Sequence, residues 1–337
     1  MTKLQNANPH TTQLNKTEIT VSRIAFGCMS TVKNPTYDGI EHRDAIAAIH
    51  AAMDAGITLF DTAPGYGDGA SEILLGEAMR GRRDRAIIAT KAGGDTISAD
   101  EIERDCEVSL ERLQTDYIDL YQIHWPRRVV PLEESMRALD RLREKGKVRA
   151  IGVSNFGPND MAESLKAVDY ATNQVAYSLL MRAPEKGIGD LCLAHDVGLL
   201  CYSPIAQGLL TGRFRSADDV PDLRARTRHF ADSRPLARHG QPGCEKETFA
   251  AIAKIQQISD EIGEPMAVVA LAWLLHQPIV TSVLAGASNT KQVLSNVRAL
   301  DVTLTPEHLA QLDEATADVK QCLGDNMDCW AAPSRIL

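Results

Sequence analysis

Short runs of consecutive apolar residues recur along the chain and predict buried β-strands. Most runs are unbroken stretches of Val, Ile and Leu rather than alternations of apolar and polar residues. This is the pattern expected for strands that are covered on both faces. The eight runs lie at 57–60, 86–90, 118–123, 149–153, 172–175, 199–202, 281–285 and 299–302.

The segments between the runs have helical periodicity, and three of them carry an apolar stripe. Ser98 followed by Glu101 predicts a capping box at the start of the second of these helices. Gly56 and Gly146 are expected to end the first and the third. The stripes comprise Ala45, Ala48, Ile49, Ala52 and Met53; Ile102, Cys106, Ser109, Leu110 and Leu113; and Leu132, Met136, Leu139 and Leu142.

Repeated strand–helix units with right-handed crossovers produce either an open doubly wound sheet or a closed barrel. Eight units without an obvious domain linker favour the barrel, an α/β fold of the (β/α)8 TIM type. The length of 337 residues exceeds the roughly 150 residues of an average domain, but barrels of this kind often reach it as one domain. We therefore expect a single domain over 1–337, with its core at about 17–317 and a polar tail at each end.

Two segments interrupt the repeating units. Residues 11–26 predict a short hairpin with its turn near Asn15–Lys16, placed to cap the bottom of the barrel. Residues 211–247, rich in Arg, Asp, Pro and Gly, predict a long insertion between the sixth and seventh strands. Loops of this length in compact domains are usually functional or disordered. The polar tail at 318–337 contains Trp330, which we expect to be exposed.

Composition argues against several classes of protein. The chain is 44% apolar and 24% charged, which is ordinary for a soluble globular protein. Its net charge of −9 argues against a general nucleic-acid-binding protein. No apolar run is long enough to cross a bilayer, and the first residues lack the apolar core of a signal peptide, so we expect a cytoplasmic protein. The seven cysteines match no zinc-site spacing, which indicates reduced and mostly buried thiols.

A glycine-rich segment, GYGDGA at 65–70, fits the dinucleotide-binding pattern G-x-G-x-x-A. That pattern also requires an acidic residue about 20 positions on, at the end of the next strand, to hold the ribose. Here the next strand ends in Lys91 without an acid beside it, and Tyr66 is bulky where the backbone should approach the pyrophosphate. Both departures argue against a Rossmann site.

Four polar residues lie where predicted strands end: Asp61, Lys91 and His124 follow apolar runs, and Tyr66 lies in the loop beyond the first. In a barrel of parallel strands these ends meet on one face, where catalytic residues are found. Taken singly, Asp61 fits a cap for the next turn, Lys91 a solvent-facing cation and His124 a core histidine. Taken together, the four predict a catalytic site.

These side chains suit proton transfer to a carbonyl oxygen. A phenol with a pKa near 10 is a weak acid at neutral pH. An ammonium about 4 Å away favours the phenolate by roughly 4 kcal/mol at an effective dielectric near 20. Burial opposes this, so we expect a smaller net shift of the pKa of Tyr66. Asp61 is the natural counter-ion of Lys91, and His124 can orient a carbonyl or relay a proton.

Longer motifs give the chain a specific resemblance. In order, they are LFDTAPGYGDGASEILLGEAM, IIATKAG, DYIDLYQIHWP, IGVSNF, NQVAYSLL and YSPIAQGLLTGRF. In their residues, order and spacing they resemble the motifs of the aldo-keto reductase superfamily, from about residue 20 to about residue 315. The resemblance implies a (β/α)8 barrel and a catalytic tetrad of Asp61, Tyr66, Lys91 and His124, with Tyr66 as general acid. It also implies NADPH bound in extended form without a Rossmann domain.

The resemblance further implies residues that bind the cofactor, among them Asp61. Ser154, Asn155 and Gln174 resemble the partners of the nicotinamide carboxamide, and Tyr202 resembles the aromatic residue that stacks on the nicotinamide ring. The loop that wraps the pyrophosphate corresponds to Ser203, Pro204, Ala206, Gly208 and Leu209. The turn near the nicotinamide corresponds to Gly27, Cys28 and Met29.

Residues 284–300 resemble the adenosine site, and the start of their predicted helix suits an anion. Many relatives place Lys or Arg near positions 288 or 292 to hold the 2′-phosphate, whereas the nearest cation here is Lys291. NADPH is the expected cofactor, with NADH as the alternative. The expected contacts, with Asn296 facing the adenine, are Gly286, Ser288, Gln292 and Asn296.

The sequence says less about the substrate pocket than about the cofactor site. Tyr37 and Trp125, with Met29, are expected to wall it. The arginine-rich stretch 213–228 either folds over the pocket or the cofactor, or is a solvated loop. The chain is thus expected to be an NADPH-dependent oxidoreductase that reduces small aldehydes or ketones to alcohols.

Two other functions fit some of the residues. A strand-end lysine near an acid and a phenol also suits a Schiff-base lyase acting through Lys91. Potassium-channel β-subunits resemble this family, keep a bound nicotinamide cofactor and act through partners, so a regulatory binding module is the main alternative. We expect a small carbonyl substrate as partner, without nucleic acid or membrane; the sequence leaves the substrate, the direction and the oligomeric state open.

Overall fold

The computed structural model describes residues 10–33 and 39–337. The strands in this part of the chain are β1 (Thr11–Gln13), β2 (Thr20–Ser22), β3 (Ile24–Gly27), β4 (Leu59–Asp61), β5 (Ile87–Ala92), β6 (Ile118–Ile123), β7 (Val148–Ser154), β8 (Thr172–Ala176), β9 (Gly198–Tyr202) and β10 (Val280–Gly286). The α-helices are α1 (His42–Asp54), α2 (Ala70–Ala78), α3 (Ala99–Leu113), α4 (Leu132–Glu144), α5 (Pro158–Ser164), α6 (Pro184–Gly187), α7 (Gly189–Ala194), α8 (Glu245–Ile262), α9 (Met266–Leu275), α10 (Thr290–Arg298), α11 (Pro306–Ala315) and α12 (Ala317–Leu323).

Eight parallel strands, β3 to β10, close into a barrel in which β10 pairs with β3. The (β/α)8 prediction is therefore confirmed. The apolar stripes predicted for α1, α3 and α4 are buried, because these helices cover the outer face of the barrel. Carboxyl ends of parallel strands meet at one mouth of such a barrel, and this mouth is where the polar strand ends gather.

One predicted strand is wrong. Residues 299–302 follow the end of α10 and form a turn, and the first barrel strand is instead Ile24–Gly27. The sequence pattern places this short run in the hairpin, because a few apolar residues next to a turn do not reveal which sheet they join. The long insertion consequently lies between the seventh and eighth barrel strands, β9 and β10, rather than between the sixth and seventh.

The N-terminal hairpin is present and closes the opposite end of the barrel. Strands β1 and β2 pair antiparallel, and the turn contains Lys16 with φ of 58°. Leu14, Ile19 and Val21 are buried against inward-facing residues such as Leu59 and Leu120. The mouth at the carboxyl ends of the strands is therefore the end left for a functional site.

The predicted capping box at the start of α3 does not form. Ser98 occupies the N-cap position but its side chain caps nothing. The carboxylate of Glu101 instead accepts hydrogen bonds from the amides of Thr96 and Ile97, at 2.9 and 2.7 Å. Ile97 has φ of 51°, and this left-handed turn directs the preceding amides, rather than that of Ser98, toward the glutamate.

The insertion at 211–247 packs onto the end of the chain. Buried Arg228 donates to the carbonyl oxygens of Leu323 and Asn326, at 2.7 and 3.0 Å. Its amide donates to Cys329, at 2.8 Å. Residues 324–337, called the C-terminal segment below, are thus held by the insertion. The segment ends against α5, where the amide of Leu337 donates to the carboxylate of Asp160, at 2.9 Å.

The cysteines are mostly buried, as the sequence predicts. Six of the seven cysteines are buried as free thiols, and Cys322 is exposed. Among the described residues, no helix combines the length and the apolar character that a membrane crossing requires.

Buried His229 in the insertion is expected to make the protein sensitive to acid. Its ring bonds the Leu180 carbonyl and the Thr227 hydroxyl, at 2.8 and 3.0 Å. Burial, aided by Arg228 and His239 and opposed by the Leu180 carbonyl, lowers the pKa of His229 to about 4. The folded pKa lies below the unfolded value of about 6.5. The contribution to stability is therefore complete above pH ~6.5 and is lost as the pH falls toward 4.

The prediction is tested with His229→Gln, whose amide can still donate to Leu180. As the pH falls from ~6.5 to 4, the free energy of unfolding should decrease less in this variant than in the wild type. The difference between the two slopes should reach up to about 1.4 kcal/mol per pH unit. Urea unfolding across this pH range measures the difference. Exposed His195 supplies the control, because His195→Gln should follow the wild type. Parallel curves for wild type and His229→Gln would contradict the prediction.

Candidate active site

Three of the four predicted catalytic side chains meet through a buried ion pair. Lys91 of β5 donates to both carboxylate oxygens of Asp61 at the end of β4, at 2.8 and 3.0 Å, and to the carbonyl of Thr62, at 2.8 Å. The Lys91 side chain is 0% exposed and that of Asp61 is 3% exposed. The Lys91 ammonium lies 5.2 Å from the centre of the Tyr66 ring and interacts with its hydroxyl.

The fourth residue, His124, follows β6 and packs beside the phenol. The rings of Tyr66 and His124 meet edge to face, with centroids 6.2 Å apart and planes at 81°. The simpler interpretations do not hold for Lys91, which is buried rather than solvent-facing. The Asp61 carboxylate does not cap the next turn but accepts hydrogen bonds from Lys91 and Gln174.

Charge and burial set the protonation states of these groups. Burial raises the pKa of Tyr66, and the lowering effect of Lys91 does not offset it, so the phenol is less acidic than free tyrosine. Burial would lower the pKa of Lys91, but Asp61 and the Tyr66 hydroxyl outweigh it and keep the ammonium charged. Burial, with Lys91 and Arg127 adding to it, lowers the pKa of His124 to about 3.

The expected net lowering of the phenol pKa is therefore wrong in direction, because burial outweighs the ammonium and the sequence does not show how deeply the hydroxyl is buried. At neutral pH the site presents a protonated phenol, a neutral imidazole and a fixed ammonium. Two neutral hydrogen-bond donors beside a buried cation can stabilise negative charge that develops on a substrate oxygen. The phenol can also transfer its proton to that oxygen.

The residues predicted for the nicotinamide form one hydrogen-bonded network. Asn155, which has φ of 60°, donates to the carbonyl of His124 and to the hydroxyl of Ser154, at 3.0 and 3.1 Å. The Tyr202 hydroxyl donates to Asn155, at 2.8 Å, and Gln174 donates to Asp61, at 2.7 Å. This network ties the predicted ring platform, Tyr202, to the catalytic residues.

The predicted pyrophosphate loop has an unusual backbone. Ser203, Ala206 and Gln207 have φ of 51°, 47° and 55°, and Gly208 has φ of 99°. Successive residues of this kind can turn amides toward an anion, and strain of this kind concentrates at functional sites. Gly208 is needed in this loop because its φ of 99° lies in a region that L side chains rarely adopt. Pro204 and Leu209 lie in the same turn.

Two orphaned polar atoms flank the mouth of the barrel. The buried Ser30 hydroxyl and the buried Gln207 amide oxygen have no hydrogen-bond partner in the described residues. Ser30 follows Gly27, Cys28 and Met29, and its hydroxyl approaches Gly286 closely enough to lie 3.1 Å from a Cβ placed there. Unpaired buried groups cost free energy unless a ligand or water satisfies them, so the residues present fit an extended polar cofactor.

The predicted adenosine site is also assembled around one helix end. Asn289 caps α10 by accepting from the amide of Gln292, at 3.0 Å. Gln292 in turn accepts from the amide of Ser288, at 2.7 Å, and Asn296 donates to the carbonyl of Gly286, at 3.3 Å. Lys291 is exposed on the first turn of the helix.

Sequence reasoning missed one aromatic residue at the mouth. Trp330, expected to be exposed, is partly buried and stacks on Tyr202, with ring centroids 5.8 Å apart and planes at 11°. It also meets the predicted pocket residue Trp125, at 6.3 Å and 62°. The only signal was a lone tryptophan in a polar tail, a residue type that gains much by burial. Predicted pocket residue Tyr37 lies outside the described residues.

Comparisons with known proteins agree with this fold. The model of the Aldo/keto reductase family matches residues 23–317. Aldo-keto reductase YhdN of Bacillus subtilis is 34% identical, covering 84% of this chain and 86% of the relative. The NADH-specific methylglyoxal reductase of Escherichia coli is 32% identical, covering 87% and 94%.

A solved structure is similar over the same length. The aldo/keto reductase of Klebsiella pneumoniae, in complex with NADP and acetate, has a TM-score of 0.71 and 32% identity, covering 90% of this chain and 94% of that one. The family model alone spans most of the chain. The protein therefore belongs to the aldo/keto reductase family, the class that its barrel and its site indicate.

Proposed function

We propose that this protein reduces small aldehydes or ketones to alcohols with NADPH. The observation that carries the proposal is the buried Asp61–Lys91 pair beside a protonated Tyr66 and a neutral His124. The orphaned Ser30 and Gln207 oxygens and the relative solved with NADP support the choice of cofactor.

Each catalytic side chain has a distinct task in the proposed reaction. Bound NADPH supplies the hydride for the carbonyl carbon. Tyr66 donates its phenolic proton to the carbonyl oxygen, and its raised pKa keeps that proton in place through neutral and mildly basic pH. Lys91 stabilises the negative charge left on the phenol oxygen. His124, neutral because its pKa is about 3, orients the carbonyl by hydrogen bonding.

The preference for NADPH rests on the surroundings of α10. Lys291 on its first turn and the amides at its N-terminus offer a site for the 2′-phosphate. Arg298, in its last turn, is paired with Glu264, at 2.7 Å. The phosphate site therefore has one exposed lysine rather than a clamp, and an NADH-specific relative exists. We propose a moderate preference for NADPH over NADH.

Binding and turnover are measured separately to test the proposal. Titration of NADPH and NADH, followed by quenching of protein fluorescence, should show tighter binding of NADPH. Oxidation of NADPH against a panel of aliphatic, aromatic and dicarbonyl aldehydes should then reveal turnover. Cofactor binding without turnover of any aldehyde or ketone would favour a regulatory module. Failure to bind either nucleotide would overturn the proposal.

A further inference from the structure

The C-terminal segment, 324–337, covers Tyr202, the residue that the family resemblance implies as platform for the nicotinamide ring. The Trp330 indole lies nearly parallel to the Tyr202 ring, with centroids 5.8 Å apart and planes at 11°. This is the offset stacked arrangement that aromatic rings prefer. It is also the arrangement that a bound nicotinamide would adopt on the same phenol.

The indole also lies close to the segment that carries His124. Trp330 contacts both Tyr202 and Trp125, and Trp125 directly follows His124 in the chain. The hydroxyl of Tyr202 is tied through Asn155 to the carbonyl of His124. A ring that stacks on Tyr202 and delivers hydride to a carbonyl beside His124 would need space in the same region as the indole.

The segment has a built structure that holds the indole in place. Asp328 is fully buried and accepts from the amides of Trp330 and Ala331, at 3.0 and 3.2 Å. Arg335 donates twice to the Asp328 carboxylate, at 2.6 and 2.9 Å. The same guanidinium lies 4.1 Å over the Trp125 ring. These contacts fix the loop that carries the indole.

We propose that Trp330 and the nicotinamide ring compete for one face of Tyr202, so that the C-terminal segment is a self-occluding element displaced on cofactor binding. The inference rests on the proposed function, because it takes Tyr202 as the ring platform. When the binding-competent conformation is only a fraction of the molecules, the apparent Kd rises by the inverse of that fraction. Removing the indole should therefore tighten cofactor binding.

The test compares Trp330→Leu with the wild type in the full chain. Calorimetric titration should show NADPH bound about 2- to 10-fold more tightly by the variant, the range expected for loss of one aromatic pair that competes with the ligand. In stopped flow, the observed binding rate of the wild type should level off at high NADPH, limited by opening of the segment. The variant should lose this plateau.

Two further variants sharpen the result. Arg335→Gln removes the anchor over Trp125 but keeps the indole, and it should tighten binding in the same direction. This variant also serves if Trp330→Leu folds poorly. Asp325→Asn is the matched control, because Asp325 lies in the same segment but pairs with exposed Lys186, at 3.2 Å, away from the stacked rings. Its Kd should equal that of the wild type.

The outcomes separate this inference from the proposed function. If the wild type binds NADPH and Trp330→Leu and Arg335→Gln bind it equally or more weakly, the occlusion is overturned and the proposed function stands. If only the two variants bind NADPH, both the occlusion and the proposed function are supported. If no form binds NADPH or NADH, the proposed function fails, and the occlusion fails with it.

Discussion

Replacing Tyr66 with phenylalanine is expected to lower kcat for aldehyde reduction by about 10²- to 10⁴-fold, the usual contribution of a positioned general acid. The reason is that the phenolic hydroxyl beside Lys91 is the proton donor in the proposed reaction. The ring itself would still fill its place against His124. The Kd for NADPH should therefore stay close to the wild-type value. Steady-state kinetics and nucleotide titration measure the two quantities.

A matched control comes from the other end of the barrel. Tyr117 immediately precedes β6, and its ring lies 4.1 Å from the Arg83 guanidinium, far along the strand from His124. Tyr117→Phe removes a tyrosine hydroxyl without touching the mouth, so kcat should not change. Full reductase activity in Tyr66→Phe, with the cofactor bound, would eliminate Tyr66 as the acid.

Replacing Lys91 with methionine is expected to destabilise the fold as well as abolish reduction. The substitution leaves the carboxylate of Asp61 buried without its cation. Loss of one partner from a buried ion pair costs about 3–5 kcal/mol. Urea unfolding at neutral pH measures the loss in the free energy of unfolding, and assays at low temperature measure activity in the folded protein.

Two companion variants isolate the ion pair. Adding Asp61→Asn to Lys91→Met removes the stranded charge, and should restore much of the lost stability without restoring activity. Lys145→Met breaks an exposed pair with Glu103, at 2.9 Å, and should cost at most about 1 kcal/mol. A Lys91→Met protein as stable as the Lys145→Met protein would refute the buried-pair argument.

The barrel was predictable because its strands are covered on both faces and so read as unbroken apolar runs. The exception, β3, has only four residues, Ile24–Gly27, and its sequence is compatible with the preceding hairpin. Partners in a sheet are chosen by contacts distant in sequence, which local pattern does not encode. The strand predicted at 299–302 is wrong for a similar reason. Apolar residues also occur in the turn that follows a helix, and the local pattern does not distinguish the two.

The gathering of Asp61, Lys91 and His124 at strand ends, with Tyr66 in the loop beyond the first, was predictable, since parallel strands place their carboxyl ends together. Their protonation states were not. The sequence gives the charges near Tyr66 but not the extent of its burial, and burial decides the direction of its pKa shift. The place of Trp330 was likewise hidden, because it depends on the backbone path from Arg228 through Asp328.

Arg228 ties two parts of the chain that lie almost a hundred residues apart. The insertion supplies its guanidinium and the chain end supplies the carbonyls it binds. Neither part is therefore an independent module for protein engineering. Anyone who grafts the chain end of a relative onto this barrel to alter its substrate range has to transplant the partner loop as well, as a single cassette.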